Sequence, residues 1–314
     1  MAVTVVGSIA FDAVTTPFGS RERMLGGSAV HFALAASFFD AVHVVGPVGD
    51  DFGRDQYAVL ESRNVDTSSI EKVPGGKTFF WRGEYGWDLN ERRTLDTQLN
   101  VFADFDPKLS DEARAADVLF LANIQPQLQQ QVRAQCREAR FVALDSMNLW
   151  IEMARDALIE ALSEVDCLML NDGELRELTR QPNLVLAARQ VREWGPRVVV
   201  AKQGEYGAAM VTEEGFFGLP AYPLETVIDP TGAGDSFAGG FMGYIAAVGP
   251  DSDLSHDLLC RAMAYGTALA SFNVEEFGVE RVARLTSDEV ADRVSHLQRI
   301  TQFATADELA LGER

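Results

Sequence analysis

Short apolar runs recur along the chain with little polar alternation. They lie at Val3–Val6, Val42–Val45, Val118–Leu121, Phe141–Leu144, Cys167–Leu170 and Val198–Ala201. A strand with one wet face alternates apolar and polar residues. Unbroken runs bounded by turns predict strands covered on both faces. Helical patterns fill the intervals at Ala29–Phe39, Phe52–Ser62, Gln127–Arg137, Ile151–Leu162 and Leu184–Trp194. This βαβα rhythm predicts an α/β fold: a doubly wound, mostly parallel sheet flanked by helices. The C-terminal third adds two longer helices, Ala233–Ala247 and Asp253–Phe272, separated at Gly249-Pro250.

Two segments break the rhythm. Ala13–Leu25 contains Pro17 and Gly19, and Gly75-Gly76 opens the stretch Lys77–Phe102, rich in aromatics, Thr and Gly. We expect a small β lid from residues 13–25 and 76–101, with turns near Gly83 and Gly86. The core is then 1–12, 26–75 and 102–314. Phe79, Phe80, Trp81, Tyr85 and Trp87 need cover, from a ligand or from a second subunit, so a homodimer through the lid is one expectation.

Composition narrows the partners. The chain has 314 residues, 47 acidic against 27 basic, and a net charge of −20. Such a field excludes general attraction to polymeric nucleic acid or anionic membranes. An anionic ligand must be held by a local device. Cys136, Cys167 and Cys260 are too scattered for a disulfide framework or a zinc site. The N-terminus reads as a strand rather than a signal peptide, and the longest apolar stretch, Phe237–Val248, is too short for a bilayer. The expectation is a cytoplasmic protein. The lysine-poor, acidic surface reads as an adaptation to salt.

The local device is DPTGAGDSFAGG, residues 229–240. Pro230 stops a helix from extending upstream, and Gly232 and Gly234 allow a tight turn. The apolar helix then starts with unpaired amides, an anion site. Asp235 within that site is the odd feature, since a bound phosphate would repel it. Its presence makes sense if it takes a proton. Amides at 232–235 would neutralise a transferring phosphoryl group while Asp235 accepts the proton of the attacking hydroxyl. A dinucleotide-binding turn would need a third glycine and a place after the first strand. Pro74–Thr78 imitates the tail of a P-loop, but Glu71 stands where its first glycine belongs.

DPTGAGDSFAGGF resembles the C-terminal signature of the ribokinase-like (PfkB) carbohydrate kinases. GSIAFD (7–12), GGSAVHFALAA (26–36) and VVGPVGDDFG (44–53) extend the resemblance in order through nearly the whole chain. It implies a ribokinase-like α/β core with a β lid, ATP as donor, Mg²⁺, and transfer to a primary hydroxyl of a sugar or, alternatively, a nucleoside. A silent sugar- or nucleotide-binding sensor is the reading from another class.

By this resemblance Asp235 is the base, and Gly232, Ala233 and Gly234 form the anion hole. Asn171 and Glu174 match an N-x-x-E element near triphosphate and magnesium, with Glu174 acting through water. The same pair is also an ordinary capping box. Lys202 and Gly204 belong to the nucleotide-site turn, and Asn273 flanks the adenine pocket. Asp229 and the Thr231 carbonyl resemble positions that hold a monovalent cation such as K⁺. Asp12 holds acceptor hydroxyls, with Gly26 and Gly27 offering backbone amides and Asn100 close by. His31 stands where ribokinases commonly have Asn, and Gln125 about where ribokinase has a Glu contacting ribose. Both line the pocket in this reading, and both departures leave the acceptor open. Asp145 and Asn148 resemble a D-x-N element without its usual Arg.

Overall fold

A computed structural model describes residues 2–249 and 254–303. The first half contains β1 (Ala2–Val6), β2 (Ala10–Thr16), β3 (Gly19–Gly26), α1 (Ser28–Ala36), β4 (Ala41–Val48), α2 (Arg54–Glu61), β5 (Val65–Asp66), β6 (Ile70–Lys72), β7 (Phe79–Tyr85), β8 (Arg92–Gln98), α3 (Asp111–Arg114), β9 (Val118–Leu121), α4 (Pro126–Gln135) and β10 (Phe141–Asp145). The second half contains α5 (Asn148–Met153), α6 (Arg155–Leu162), β11 (Cys167–Asn171), α7 (Asp172–Thr179), α8 (Leu184–Glu193), β12 (Val198–Lys202), β13 (Ala208–Val211), β14 (Phe216–Leu219), α9 (Ala233–Ala247), α10 (His256–Asn273), α11 (Glu280–Arg284) and α12 (Ser287–Thr301).

The main sheet runs β14-β13-β12-β11-β10-β9-β1-β4-β5, with β6 also paired to β4. It is parallel from β5 to β12, and an antiparallel hairpin of β13 and β14 closes one edge. Side chains alternate between two cores. Phe141 and Ala143 join one cluster with α1 and α9, whereas Val142 and Leu144 join another with α4, α6 and α8. Both faces are covered, which is why the strands read as continuous apolar runs.

Chain order reverses beside β1, which lies between β4 and β9. The carboxyl ends of the strands near such a switch point are where open α/β sheets bind ligands. A second sheet, β3-β2-β7-β8, stands apart from the first. Asp12, expected at the end of a core strand–turn unit, lies inside β2 of this sheet, opposite Met24 on β3 and Trp81 on β7. Gly83 is not at a turn either. It continues β7, because the Trp81 indole lies across it: a Cβ there would meet the ring at 2.1 Å. Among the five aromatics expected to need cover, Trp87 stays 87% exposed and the others are half-buried.

The helix expected over Ile151–Leu162 is two, broken at Ala154, where φ is −138°. Tertiary contact accompanies the break: the Arg155 guanidinium donates to the Leu178 carbonyl at 2.9 and 3.1 Å. Asp253 and Pro250 lie outside the described residues, and α10 starts at His256, capped by Ser255. No helix among the described residues is long and apolar enough to cross a membrane.

Candidate active site

The turn before α9 is built from its own carboxylate. Asp229 is fully buried; its Oδ1 accepts from the Thr231 amide at 2.9 Å and its Oδ2 from the Gly278 amide at 3.0 Å. Gly232 then caps α9 at φ 76°, a left-handed conformation that favours glycine. The expected row of four anion-binding amides is shorter than that. The Ala233 amide donates back to the Pro230 carbonyl at 3.3 Å. Gly232, Gly234 and Asp235 stand at the positive end of the helix dipole.

Strand ends bring charge to this turn. Lys202, last in β12, donates to Asp145 Oδ2 at 2.8 Å at the end of β10. A Cβ on Gly234 would stand 3.1 Å from its Nζ, so the ammonium lies against the start of α9. Burial opposes the lysine's charge, but Asp145, Glu174 and Asp235 outweigh it and raise its pKa. Asn171 and Glu174 form a complete capping box: the Glu174 amide donates to Asn171 Oδ1 at 2.7 Å, and the Asn171 amide to Glu174 Oε2 at 2.9 Å. Glu174 is nonetheless buried, and burial with Asp145 nearby pushes its carboxyl up to about 7. Asp235 is also raised to about 7, by burial and then by Asp145, with Lys202 and Arg92 pulling the other way.

Asp12 faces this cluster from the second sheet. Burial, Asp229 and Asp235 raise its carboxyl to about 7 against a hydrogen bond from the Gly27 amide. Gly26 and Gly27 are required here. A Cβ on Gly26 would fall 1.9 Å from Asp12 Oδ2, and one on Gly27 would fall 2.5 Å from the Ser8 carbonyl. Tyr85, on the same face of β7 as Trp81, receives the Thr231 hydroxyl at 3.3 Å. The loop after β7 reaches the turn after β12: Asn90 donates to Glu205 at 3.2 Å, and a Cβ on Gly204 would meet Asn90 Oδ1 at 2.8 Å.

Other expected residues lie differently. Asn273 is fully buried, donating to the Thr231 carbonyl at 2.7 Å and meeting His31 and Ser236, so it props the turn from inside. His31 is 2% exposed, and burial lowers its pKa. Asn100 donates to the Thr78 carbonyl at 2.9 Å and serves the junction after β8. Gln125 is exposed at the start of α4, after β9. Asp229 and the Thr231 carbonyl, expected around a monovalent cation, are already committed to amide donors.

Sequence reasoning missed Arg92. It pairs with Tyr85 across β7 and β8, and its charge is felt at Asp12, Tyr85, Glu174 and Asp235. The signal was absent because Arg92 is one of several basic residues in a strand exposed along most of its length.

Residues 3–284 match the family described as pfkB family carbohydrate kinase. The chain belongs to this family. It is therefore a phosphotransferase of the carbohydrate-kinase kind. It is 31% identical over 249 residues to a cytidine kinase of Thermococcus kodakarensis, covering 77% of this chain and 88% of that one. It is 28% identical to a 2-dehydro-3-deoxygluconokinase of Thermoproteus tenax, over 78% and 80% of the two chains. The pfkB fold recurs in a ribokinase of Arabidopsis thaliana complexed with ribose and ATP, with a TM-score of 0.74, 20% identity, and 94% and 99% coverage.

Proposed function

We propose that the protein transfers the γ-phosphoryl group of ATP to a primary hydroxyl of a small sugar or nucleoside. The observation that carries this reading is Asp235. It is a half-buried carboxyl at the start of α9, next to Gly234 and close to the Lys202 ammonium, raised to about 7. In its ionised form it takes the proton of the acceptor hydroxyl as that oxygen attacks phosphorus. The Gly232 and Gly234 amides, the helix dipole and Lys202 stabilise the charge on the transferring group. Asp12 accepts hydrogen bonds from acceptor hydroxyls, and its two oxygens suit a diol.

Magnesium fits this acidic cluster through water at Glu174, beside Asp145; when bound it neutralises charge on the nucleotide phosphates. Among the described residues no group of three His, Cys, Asp or Glu forms a protein-only metal cage. No step is assigned to a monovalent cation, since its expected oxygens already hold amide protons.

One observation favours a nucleoside among the acceptors. Trp81 lies flat over Gly83 and is held by a 3.3 Å bond from its Nε1 to Thr94. It sits beside Asp12 in the strand register. An aromatic plane next to a diol-binding carboxylate suits a base attached to a ribose. The relation to a cytidine kinase supports this choice.

The test combines a variant with an acceptor panel. Asp235→Asn is expected to lower kcat by roughly 10²–10⁴ while ATP still binds. A variant as active as wild type overturns the assignment of the base. Turnover of free pentoses or sugar acids, with none of ribonucleosides, overturns the nucleoside preference. Binding without transfer to any acceptor would leave a sensor.

A further inference from the structure

His31 was read from sequence as an acceptor contact, yet its hydrogen bond points elsewhere. Its Nδ1 lies 2.8 Å from Asn273 Oδ1. Asn273 also lies 2.7 Å from the Thr231 carbonyl through Nδ2, and 3.0 Å from Ser236 Oγ through Oδ1. These partners determine the protons. The Thr231 carbonyl can only accept, so the amide end facing it must be Nδ2. The other end is then Oδ1, which can only accept, so His31 Nδ1 must carry hydrogen. A neutral ring has one such proton, and burial lowers the ring's pKa and so favours that form. In it Nε2 is a bare acceptor, buried with no hydrogen-bond partner among the described residues.

The ring also acts by shape. A Cβ on Gly232 would meet the imidazole at 2.3 Å, so the left-handed turn rests directly on it. Meanwhile α1, the helix that carries His31, starts at Gly27, whose amide holds Asp12.

We propose that His31 is a positioning residue. As the neutral Nδ1–H form it orients Asn273, which holds the Thr231–Gly232 turn in the shape of the anion hole. One helix thereby sets the acceptor carboxylate and the phosphoryl site in a common register. This inference rests on Gly232–Asp235 being the phosphoryl site.

Asparagine and glutamine separate the two roles of a histidine. The amide of Asn places a donor near the position of Nδ1, whereas Gln reaches toward that of Nε2. His31→Leu is expected to lower kcat about 10- to 100-fold, the scale of a small misplacement of reacting groups. The KM for the acceptor should change little. His31→Asn should recover most of the lost kcat, and His31→Gln should not. Rescue by Gln, with the main loss in acceptor KM, overturns the proposal in favour of direct acceptor contact. Three variants that all behave like wild type, or that all lose activity equally, overturn it too. Imidazole ¹⁵N–¹H correlation spectra of the wild-type chain, which has four histidines, test the proton directly. Protonation of His31 at Nδ1 alone is expected, and an Nε2–H ring overturns the proposal whatever the variants do. The base assignment fails separately, through Asp235→Asn.

Discussion

Lys202 lies against Gly234, one residue before Asp235, and its charge couples to that carboxyl with a defined sign. Burial and Asp145 raise the Asp235 carboxyl to about 7, while the lysine favours its ionised form. A base must be ionised to act, so kcat/KM should fall as pH drops through 7. Asp12 and Glu174 are raised to about 7 as well, so the acid limb reports the group rather than one residue. Lys202→Met removes the cation that holds Asp235 ionised. Its carboxyl then rises further, and the acid limb moves to higher pH. A pH–rate profile checks this, and an unmoved or lowered limb contradicts the coupling. Residue types revealed this site only in part. Asp235 and its glycines stand in a motif. Asn273 and His31 look like any buried polar residues until the fold brings them within 2.8 Å of each other across 242 positions.

At the scale of elements, α1 and α9 pack so closely that glycine is required between them. A Cβ on Gly239 would sit 2.3 Å from the Phe32 backbone carbonyl, and one on Gly243 would sit 2.6 Å from the Phe39 ring. Alanine favours a helix by about 1 kcal/mol over glycine. Over-packing against backbone costs about 1–3 kcal/mol, and backbone does not move aside as a side chain does. Gly239→Ala should therefore destabilise the protein by up to about 2 kcal/mol, read as a lowered denaturant midpoint. A raised midpoint would mean that the helices can separate freely. Six strands of the main sheet were legible, because burial on both faces writes them as apolar runs; β4 runs on to Val48, past the expected Val45, and β5, β6, β13 and β14 were not foreseen. The second sheet was less legible. Its strands are half-exposed, and Gly83 looks like a turn unless one sees the indole that occupies its empty side.

Over the whole molecule, acidic residues exceed basic ones by 20, yet the ligand inferred here is a polyanion. The carboxylates that remain exposed repel one another, and salt screens this over a Debye length of about 3 Å at 1 M. The melting temperature should therefore rise from low to molar salt. A flat or falling trend in thermal denaturation would refute the reading of the surface as an adaptation to salt. Catalysis should depend less on the surface charge, because its positive groups are local. In the proposed mechanism they are the Gly232 and Gly234 amides, the start of α9 and the half-buried Lys202.

The linear sequence by itself determined the α/β architecture, the family and the glycine turn that opens α9. Each is written in contiguous residues: apolar runs, helical spacing, and a dozen positions around Asp235. Tertiary structure alone decided which polar groups meet. It paired Lys202 with Asp145 and turned the Ala233 amide back to the Pro230 carbonyl. It brought the charge of Arg92 near enough to act on Asp12, Glu174 and Asp235, and placed the His31 ring against Gly232. Hydrogen bonds and charges act over a few ångströms of space, and separation along the chain says little about that distance.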